Sequence, residues 1–210
     1  TMPYFTFRIM GLITCFAFLV FDTSYKTVIN QIYSAYYNTY GDLYFAQGND
    51  QLAEGFYNKS IVYRNQNHHA HYALASIQMQ RQEAQKEKYE LTEASGGNPT
   101  EFSFINLSDA YQQSGNLVEA VMVLTEAKEK FPKSGIIYNA LGLAYSKLKF
   151  SDSALFSFQE ARKFSGTKEM AETNLLATSA RFKLTYPADS LLTLLGSDKE
   201  GPQANALALA

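Results

Sequence analysis

Three histidines lie close together in the chain, and their spacing is the first feature that could support metal chemistry. His68, His69 and His71 could bring two imidazoles to one ion. A zinc site needs a third or fourth ligand. The chain has no further histidine and one cysteine, so only an Asp or Glu side chain could complete such a site. We therefore expect structural or surface histidines and predict no metal ligands.

Other residue types that enzymes use do not occur here in a catalytic pattern. The sequence has no nucleophile elbow, no phosphate-binding glycine loop and no paired-carboxylate motif. Gly96, Gly97, Asn98 and Pro99 are typical of a loop that ends a helix. Cys15 lies in an apolar run and is expected to act as an apolar residue. We predict no catalytic residue, no cofactor and no enzymatic activity for this chain.

The composition excludes several classes of protein. The 210 residues include 18 Lys+Arg and 20 Asp+Glu, which gives a net charge of −2. This balance argues against a nucleic-acid partner, because such binding depends on basic residues that neutralise phosphates. A single cysteine cannot form an intrachain disulfide. The 15 Tyr and 15 Phe residues favour a packed structure over a disordered one.

An apolar segment opens the chain. Residues 9–21 carry no charge and are bounded by Arg8 and Asp22. Together with residues 2–7 they would form a helix of about 30 Å, the thickness of the hydrocarbon core of a bilayer. We predict a membrane-spanning helix over residues 1–24 and a Tyr-rich juxtamembrane helix over residues 25–33. A secretory signal peptide and a buried helix are the alternatives.

Tyrosines crowd the stretch that follows this segment. Six of them fall within twenty residues: Tyr25, Tyr33, Tyr36, Tyr37, Tyr40 and Tyr44. We expect them to fill the core of the first folded element and to anchor it at the membrane interface. The alternative is a platform on which a ligand stacks.

A repeat of 34 residues fills most of the remaining chain. Residues 101–134 match residues 135–168 at seven positions: Phe104 with Tyr138, Leu107 with Leu141, Ser108 with Gly142, Tyr111 with Tyr145, Ala120 with Ala154, Leu124 with Phe158 and Ala127 with Ala161. Further copies begin at residues 34, 68 and 169, and the second and fifth copies are weak. A period of this length is typical of helical repeat proteins.

Each copy has the spacing of two helices joined by a turn. Positions 4, 7, 8 and 11 lie on one face of a first helix, and positions 20, 24 and 27 lie on one face of a second. Turn residues separate the two sets, as Ser114, Gly115 and Asn116 do in the third copy. A glycine at the end of the first helix is expected to adopt the left-handed conformation. Small residues at positions 8 and 20 should let the two helices approach closely.

This pattern resembles the tetratricopeptide repeat (TPR). The resemblance implies an all-α fold, a TPR-like α-solenoid of antiparallel helix pairs preceded by the apolar helix. The five copies in residues 34–202 are expected at 34–67, 68–100, 101–134, 135–168 and 169–202, and a truncated copy at 203–210. The chain departs from the family pattern at Gln78 and Glu87 in the second copy and at Gly166 in the fourth.

The resemblance also implies a binding site. In the repeat family the first helices line a concave groove that binds partners. Carried over by position, this groove contains Tyr72, Met79, Phe102, Ile105, Asp109, Gln112, Gln113, Ile136, Asn139, Leu143, Ser146 and Lys147. The set lacks the lysine clamp that chaperone-binding members use for a terminal carboxylate. A protein or an extended peptide is therefore the expected partner.

Together these features predict a membrane-tethered TPR scaffold for protein–protein interaction. The alternatives are the non-catalytic C-terminal repeat tail of a multi-spanning membrane enzyme, such as a glycan ligase or polymerase, and a soluble or secreted repeat protein. The start at Thr1 and the new helix apparent at residues 203–210 suggest a piece of a longer bacterial protein. We expect it in the inner membrane, and the resemblance favours repeats that face the periplasm. One basic residue on each side of the apolar run leaves the orientation open.

Overall fold

The computed structural model describes residues 2–184 and is all-α over that part of the chain. The helices are α1 Met2–Ala46, α2 Asp50–Tyr63, α3 His68–Gln80, α4 Ala84–Gly96, α5 Glu101–Gln113, α6 Leu117–Lys130, α7 Gly135–Lys147, α8 Ser151–Arg162 and α9 Lys168–Arg181. No strand occurs among these residues, which confirms the predicted fold class. The predicted second helix of the fifth copy and the predicted copy at 203–210 lie outside the described residues.

The chain forms two compact units, one ending at Gln82 and the other beginning at Glu83. In the first unit, α2 packs against both α1 and α3. In the second unit, each helix from α4 to α9 contacts the next, and α7 also contacts α5 and α9. The first helices of successive copies therefore lie side by side in the second unit.

The apolar segment and the first helix of the first copy form one continuous helix. α1 has 45 residues, so it is about 68 Å long. The predicted domain limits at residues 24 and 33 both fall inside this helix, which has no break at either position. The limits predicted for the repeat copies remain predictions. Within the described residues, Tyr4–Ala46 is the helix long and apolar enough to cross a membrane, and none of its apolar window is buried.

A left-handed residue follows the first helix of every copy. Gly48 and Gly115 have φ angles of 72° and 79°, as predicted for glycine at this position. Gln82, Lys149 and Lys183 adopt the same region, with φ angles of 60°, 65° and 53°. Successive members of this series are 33 or 34 residues apart. The backbone therefore repeats even where glycine is absent.

Small residues bring the two helices of a copy together, as predicted. Ala53, Ala120 and Ala154 at position 20 are completely buried. At position 8, a Cβ added to Gly142 would overlap Cε1 of Phe158. A side chain at this position would occupy the space of the aromatic ring. The buried rings thus pack directly on the backbone of the first helix.

Candidate partner-binding face

The helices α5 and α7 carry ten of the twelve residues predicted to bind a partner. Since α5 contacts α7, these residues lie on neighbouring helices of the second unit. Phe102 and Leu143 are 58% and 43% exposed. Also exposed are Asp109, Gln113 and Lys147, and half-buried are Ile105, Gln112 and Ile136. We call these eight residues the α5–α7 face.

The charged groups of the α5–α7 face influence each other. Partial burial raises the pKa of the Asp109 carboxyl, and the positive charge of Lys147 on the neighbouring helix opposes this increase. The Gln112 side-chain amide donates hydrogen bonds to Asp109 Oδ1 at 3.2 Å and to Ser108 Oγ at 3.1 Å. The face thus combines apolar side chains with one acidic and one basic group, which suits a partner of mixed character.

Two of the predicted residues are buried between helices. Asn139 is 4% exposed and Ser146 is 7% exposed. Asn139 Oδ1 accepts a 2.9 Å hydrogen bond from Asn174 on α9, and its Nδ2 lies 3.1 Å from Sδ of Met170. Asn139 therefore joins α7 to α9 and offers little surface to a partner.

The last two predicted residues, Tyr72 and Met79, lie on α3 in the first unit and are 41% and 50% exposed. Near Tyr72 in the chain, His69 Nε2 lies 2.7 Å from Asp42 Oδ1 of α1. The Tyr57 hydroxyl donates a 2.8 Å hydrogen bond to the same carboxylate oxygen. Burial raises the pKa of Tyr57, and the bond to Asp42 and the charge of that carboxylate raise it further. Asp42 thus connects three helices.

The three histidines have separate partners. His69 contacts Asp42, His71 Nε2 lies 2.8 Å from the carbonyl oxygen of Asn65, and the His68 ring stacks on Tyr72 at 6.1 Å. Burial lowers the pKa of His68, and the charges of the two neighbouring histidines lower it further. In the part of the chain that the structure describes, no three His, Cys, Asp or Glu side chains are grouped to hold a metal ion.

Two clefts in the second unit lie along the second helices, away from the predicted site. One has a volume of about 380 Å³ and includes Tyr145, Ser153, Phe156 and Ser157 in its lining. The other has a volume of about 580 Å³ and includes Tyr111, Glu119, Met122 and Val123, the residues 34 positions earlier. The repeat alignment matches these residues in pairs, but periodicity alone does not reveal that they border open space.

Comparisons with known proteins find similarity at the level of structure. No protein-family model matches the chain, and no curated protein is significantly similar to it. The solved structure of YrrB, described as a TPR protein with an unusual peptide-binding site, aligns with a TM-score of 0.61 and 17% identity, over 81% of this chain and 88% of YrrB.

Two further structures align over similar lengths. PilF of Pseudomonas aeruginosa has a TM-score of 0.61 and 16% identity, over 86% of this chain and 76% of PilF. The TPR protein TTC0263 of Thermus thermophilus has a TM-score of 0.53 and 20% identity, over 84% of this chain and 98% of its own. The helix pairs, the recurring left-handed turn and these alignments agree, and we conclude that the chain has the tetratricopeptide-repeat fold.

Proposed function

We propose that this chain is a membrane-tethered scaffold that binds a protein or peptide through the α5–α7 face. The observation that carries the proposal is the continuity of α1. One uninterrupted helix contains an exposed apolar segment and the first helix of the repeat array. A helix of this kind would hold the first copy at a fixed distance from a bilayer, without a flexible linker. The inner membrane and periplasmic orientation remain part of the proposal.

The apolar segment is suited to lipid because nothing in the described structure covers it. Phe5, Leu12, Phe16 and Phe18 are each 68–71% exposed. Exposure of so many large apolar side chains to water is unfavourable by about 25 cal/mol per Å². A hydrocarbon environment removes this cost, and Arg8 near the start of the helix can extend toward the headgroups.

The α5–α7 face is suited to a protein partner because it exposes apolar and amide groups on two rigid neighbouring helices. YrrB, which shares the fold, is described as having a peptide-binding site, and this supports a peptide or protein ligand for the present chain. The alternative, a repeat tail of a multi-spanning enzyme, receives no support from the similar structures.

Vesicle flotation tests the tether. We expect the full chain to float with phosphatidylcholine vesicles and to remain with them after carbonate extraction. Leu12→Asp combined with Phe16→Asp should abolish flotation, whereas Asn58→Asp with Gln113→Asp adds the same charge elsewhere and should not. Recovery of the chain in the carbonate supernatant would contradict an integral helix.

Site-specific photocrosslinking tests the binding face. A benzophenone amino acid at Leu143 should trap a partner protein in cells, whereas the same amino acid at Phe156, which is 60% exposed on a second helix, should not. Ile105→Glu with Gln113→Glu should reduce trapping at Leu143. Trapping at Phe156 alone would indicate that the partner binds the second helices and not the α5–α7 face.

A further inference from the structure

Beyond its apolar segment, α1 exposes a second apolar surface. Six residues along one side of the helix form it, and we call them the α1 seam: Tyr25, Ile29, Ile32, Tyr36, Tyr40 and Leu43. Ile29 is half-buried, and the other five are 37–59% exposed. Tyr25, Ile29, Ile32, Tyr36 and Leu43 fit a coiled-coil heptad, in which steps of three and four residues alternate. Tyr40 lies on the same side of the helix, one residue beyond the heptad position between Tyr36 and Leu43.

The α1 seam lies where a preceding helix would pack in the repeat array. Tyr40 occupies position 7 of its copy and is 37% exposed, whereas Leu107 and Leu141 at the same position are 4% and 3% exposed. In those later copies the second helix of the preceding copy contacts the first helix. The first copy has no such neighbour in the described structure. Phe56 of α2 partly covers Tyr40, with ring centroids 5.5 Å apart. Leu43 at position 10 is 50% exposed, whereas Ala110 and Ala144 at the same position are 4% and 1% exposed.

Lipid would not cover most of this surface. Tyr36 is 15 residues beyond Phe21, about 23 Å along the helix axis. The headgroup region adds only roughly 5–8 Å beyond the hydrocarbon core on each side. If the core ends near Phe21, the seam from Ile32 to Leu43 therefore stands in water, where an apolar surface gains from a protein partner.

The α1 seam is also electrically neutral. Residues 27–41 contain no Asp, Glu, Lys or Arg. The nearest charges on this side of the helix, Asp22 and Lys26, form a 2.7 Å ion pair within one chain. A neutral seam neither repels an identical copy nor selects an oppositely charged partner. The surface is thus suited to pairing with itself.

We propose that a second copy of the chain pairs with the first along the α1 seam, as a parallel two-helix coiled coil. A two-fold axis would place each seam residue near its own equivalent, so the spacing matches automatically. The parallel direction rests on the proposed function, because two helices anchored in one bilayer from the same side run the same way. The heptad spacing continues upstream through Asp22, whose charge is paired with Lys26 within each copy, and through Phe18 to Cys15, which should face its counterpart.

Cysteine cross-linking in phosphatidylcholine vesicles tests this arrangement with the full chain. In a Cys15→Ala background, Tyr36→Cys lies in the seam, and the control Gln31→Cys lies about 140° around the helix. After oxidation we expect several-fold more disulfide-linked dimer from Tyr36→Cys than from Gln31→Cys, and a dimer from wild-type Cys15. Equal cross-linking at the two introduced positions would overturn the pairing.

Flotation of the same samples separates the two proposals. A chain that does not float contradicts the membrane tether, and its cross-linking in solution still tests the seam. A chain that floats but shows no preference for Tyr36→Cys contradicts the pairing alone.

The mass of the purified full chain in detergent provides an independent measurement. Sedimentation equilibrium should give a dimer for the wild type and for Gln31→Asp, and a monomer for Ile32→Asp. Ile32 is 57% exposed in one copy, so circular dichroism should show unchanged helicity. A monomeric wild type, a dimer that Ile32→Asp leaves intact, or a complex with a different polypeptide would overturn the proposal.

Discussion

At the scale of single residues, a buried polar network joins the three helices of the first unit. Ser34 Oγ lies 2.9 Å from Ser60 Oγ, and the Asn67 amide donates to Ser60 at 2.7 Å and to Ser34 at 3.0 Å. Asn67 Oδ1 also accepts from the Ala70 amide at 3.3 Å, so the same side chain caps α3. A buried hydroxyl that loses its partner costs about 1–3 kcal/mol.

We predict that Asn67→Ala lowers the free energy of unfolding by about 2–3 kcal/mol, because it removes a helix cap and leaves two buried hydroxyls with fewer partners. The control is Asn49→Ala. Asn49 caps α2 with a 3.2 Å bond from Leu52 but is exposed, and its loss should cost about 1 kcal/mol. Urea unfolding followed by circular dichroism measures both. Equal losses in the free energy of unfolding for the two variants would show that the hydrogen bonds of Asn67 to Ser34 and Ser60 do not contribute to stability beyond the helix cap.

At the scale of elements, the turn between the two helices of a copy has one backbone geometry and variable residues. Gly115 and Lys149 occupy equivalent positions with φ angles of 79° and 65°. A left-handed conformation costs a residue with a Cβ roughly 1–2 kcal/mol, a cost that glycine does not incur. Lys149 is exposed, so no packing interaction compensates for this strain.

We predict that Lys149→Gly increases the free energy of unfolding by about 0.5–1 kcal/mol, since relief of strain exceeds the added entropy of the unfolded chain. The reverse change, Gly115→Lys, should lower it by a similar amount. Thermal unfolding curves of both variants check the signs. A destabilised Lys149→Gly would indicate that the Lys149 side chain makes a stabilising contribution.

The packing of the two helices within a copy depends on the absence of a side chain at position 8. We predict that Gly142→Ala destabilises the protein by about 1–3 kcal/mol, because its Cβ would overlap the fully buried Phe158 ring. The control is Gly55→Ala in α2, where an added Cβ meets no atom within 4 Å. That change should stabilise by about 0.5–1 kcal/mol through helix propensity. Chemical denaturation that gives the two changes the same sign would contradict this account.

At the scale of the whole molecule, α1 has two parts with different surroundings. The part from Ser34 onward packs against α2 through buried Ser34 and Gly41. The part from Tyr4 to Phe21 has no buried residue. The C-terminal part of α1 therefore contributes to the repeat fold, whereas the part from Tyr4 to Phe21 makes no buried contact with it.

We predict that removal of residues 1–21 leaves the free energy of unfolding of the repeats unchanged within about 0.5 kcal/mol, because none of residues 4–21 is buried in the fold. The same truncation should abolish vesicle flotation. Thermal unfolding followed by circular dichroism and a flotation gradient measure the two effects. A loss of stability well above this limit would show that the apolar segment packs on the repeats.

The sequence by itself determined the helix pairs and their period. Leu107 and Leu141 lie at equivalent positions, 34 residues apart. Each helix must bury one face, and the spacing of the apolar residues within each copy indicates which face that is. The apolar run before Asp22 was likewise evident, because hydropathy depends on composition alone. The same reasoning identified Gly142 and Ala154 as contact points between helices.

Only the tertiary structure decided which neighbour covers each face. Asn139 and Leu143 both belong to the predicted binding set, yet Asn139 is buried against α9 and Leu143 is exposed. The structure alone also revealed the clefts along the second helices and the uncovered α1 seam. Periodicity predicts which residues lie on the same side of a helix. Whether that side is buried depends on residues elsewhere in the chain that pack against it.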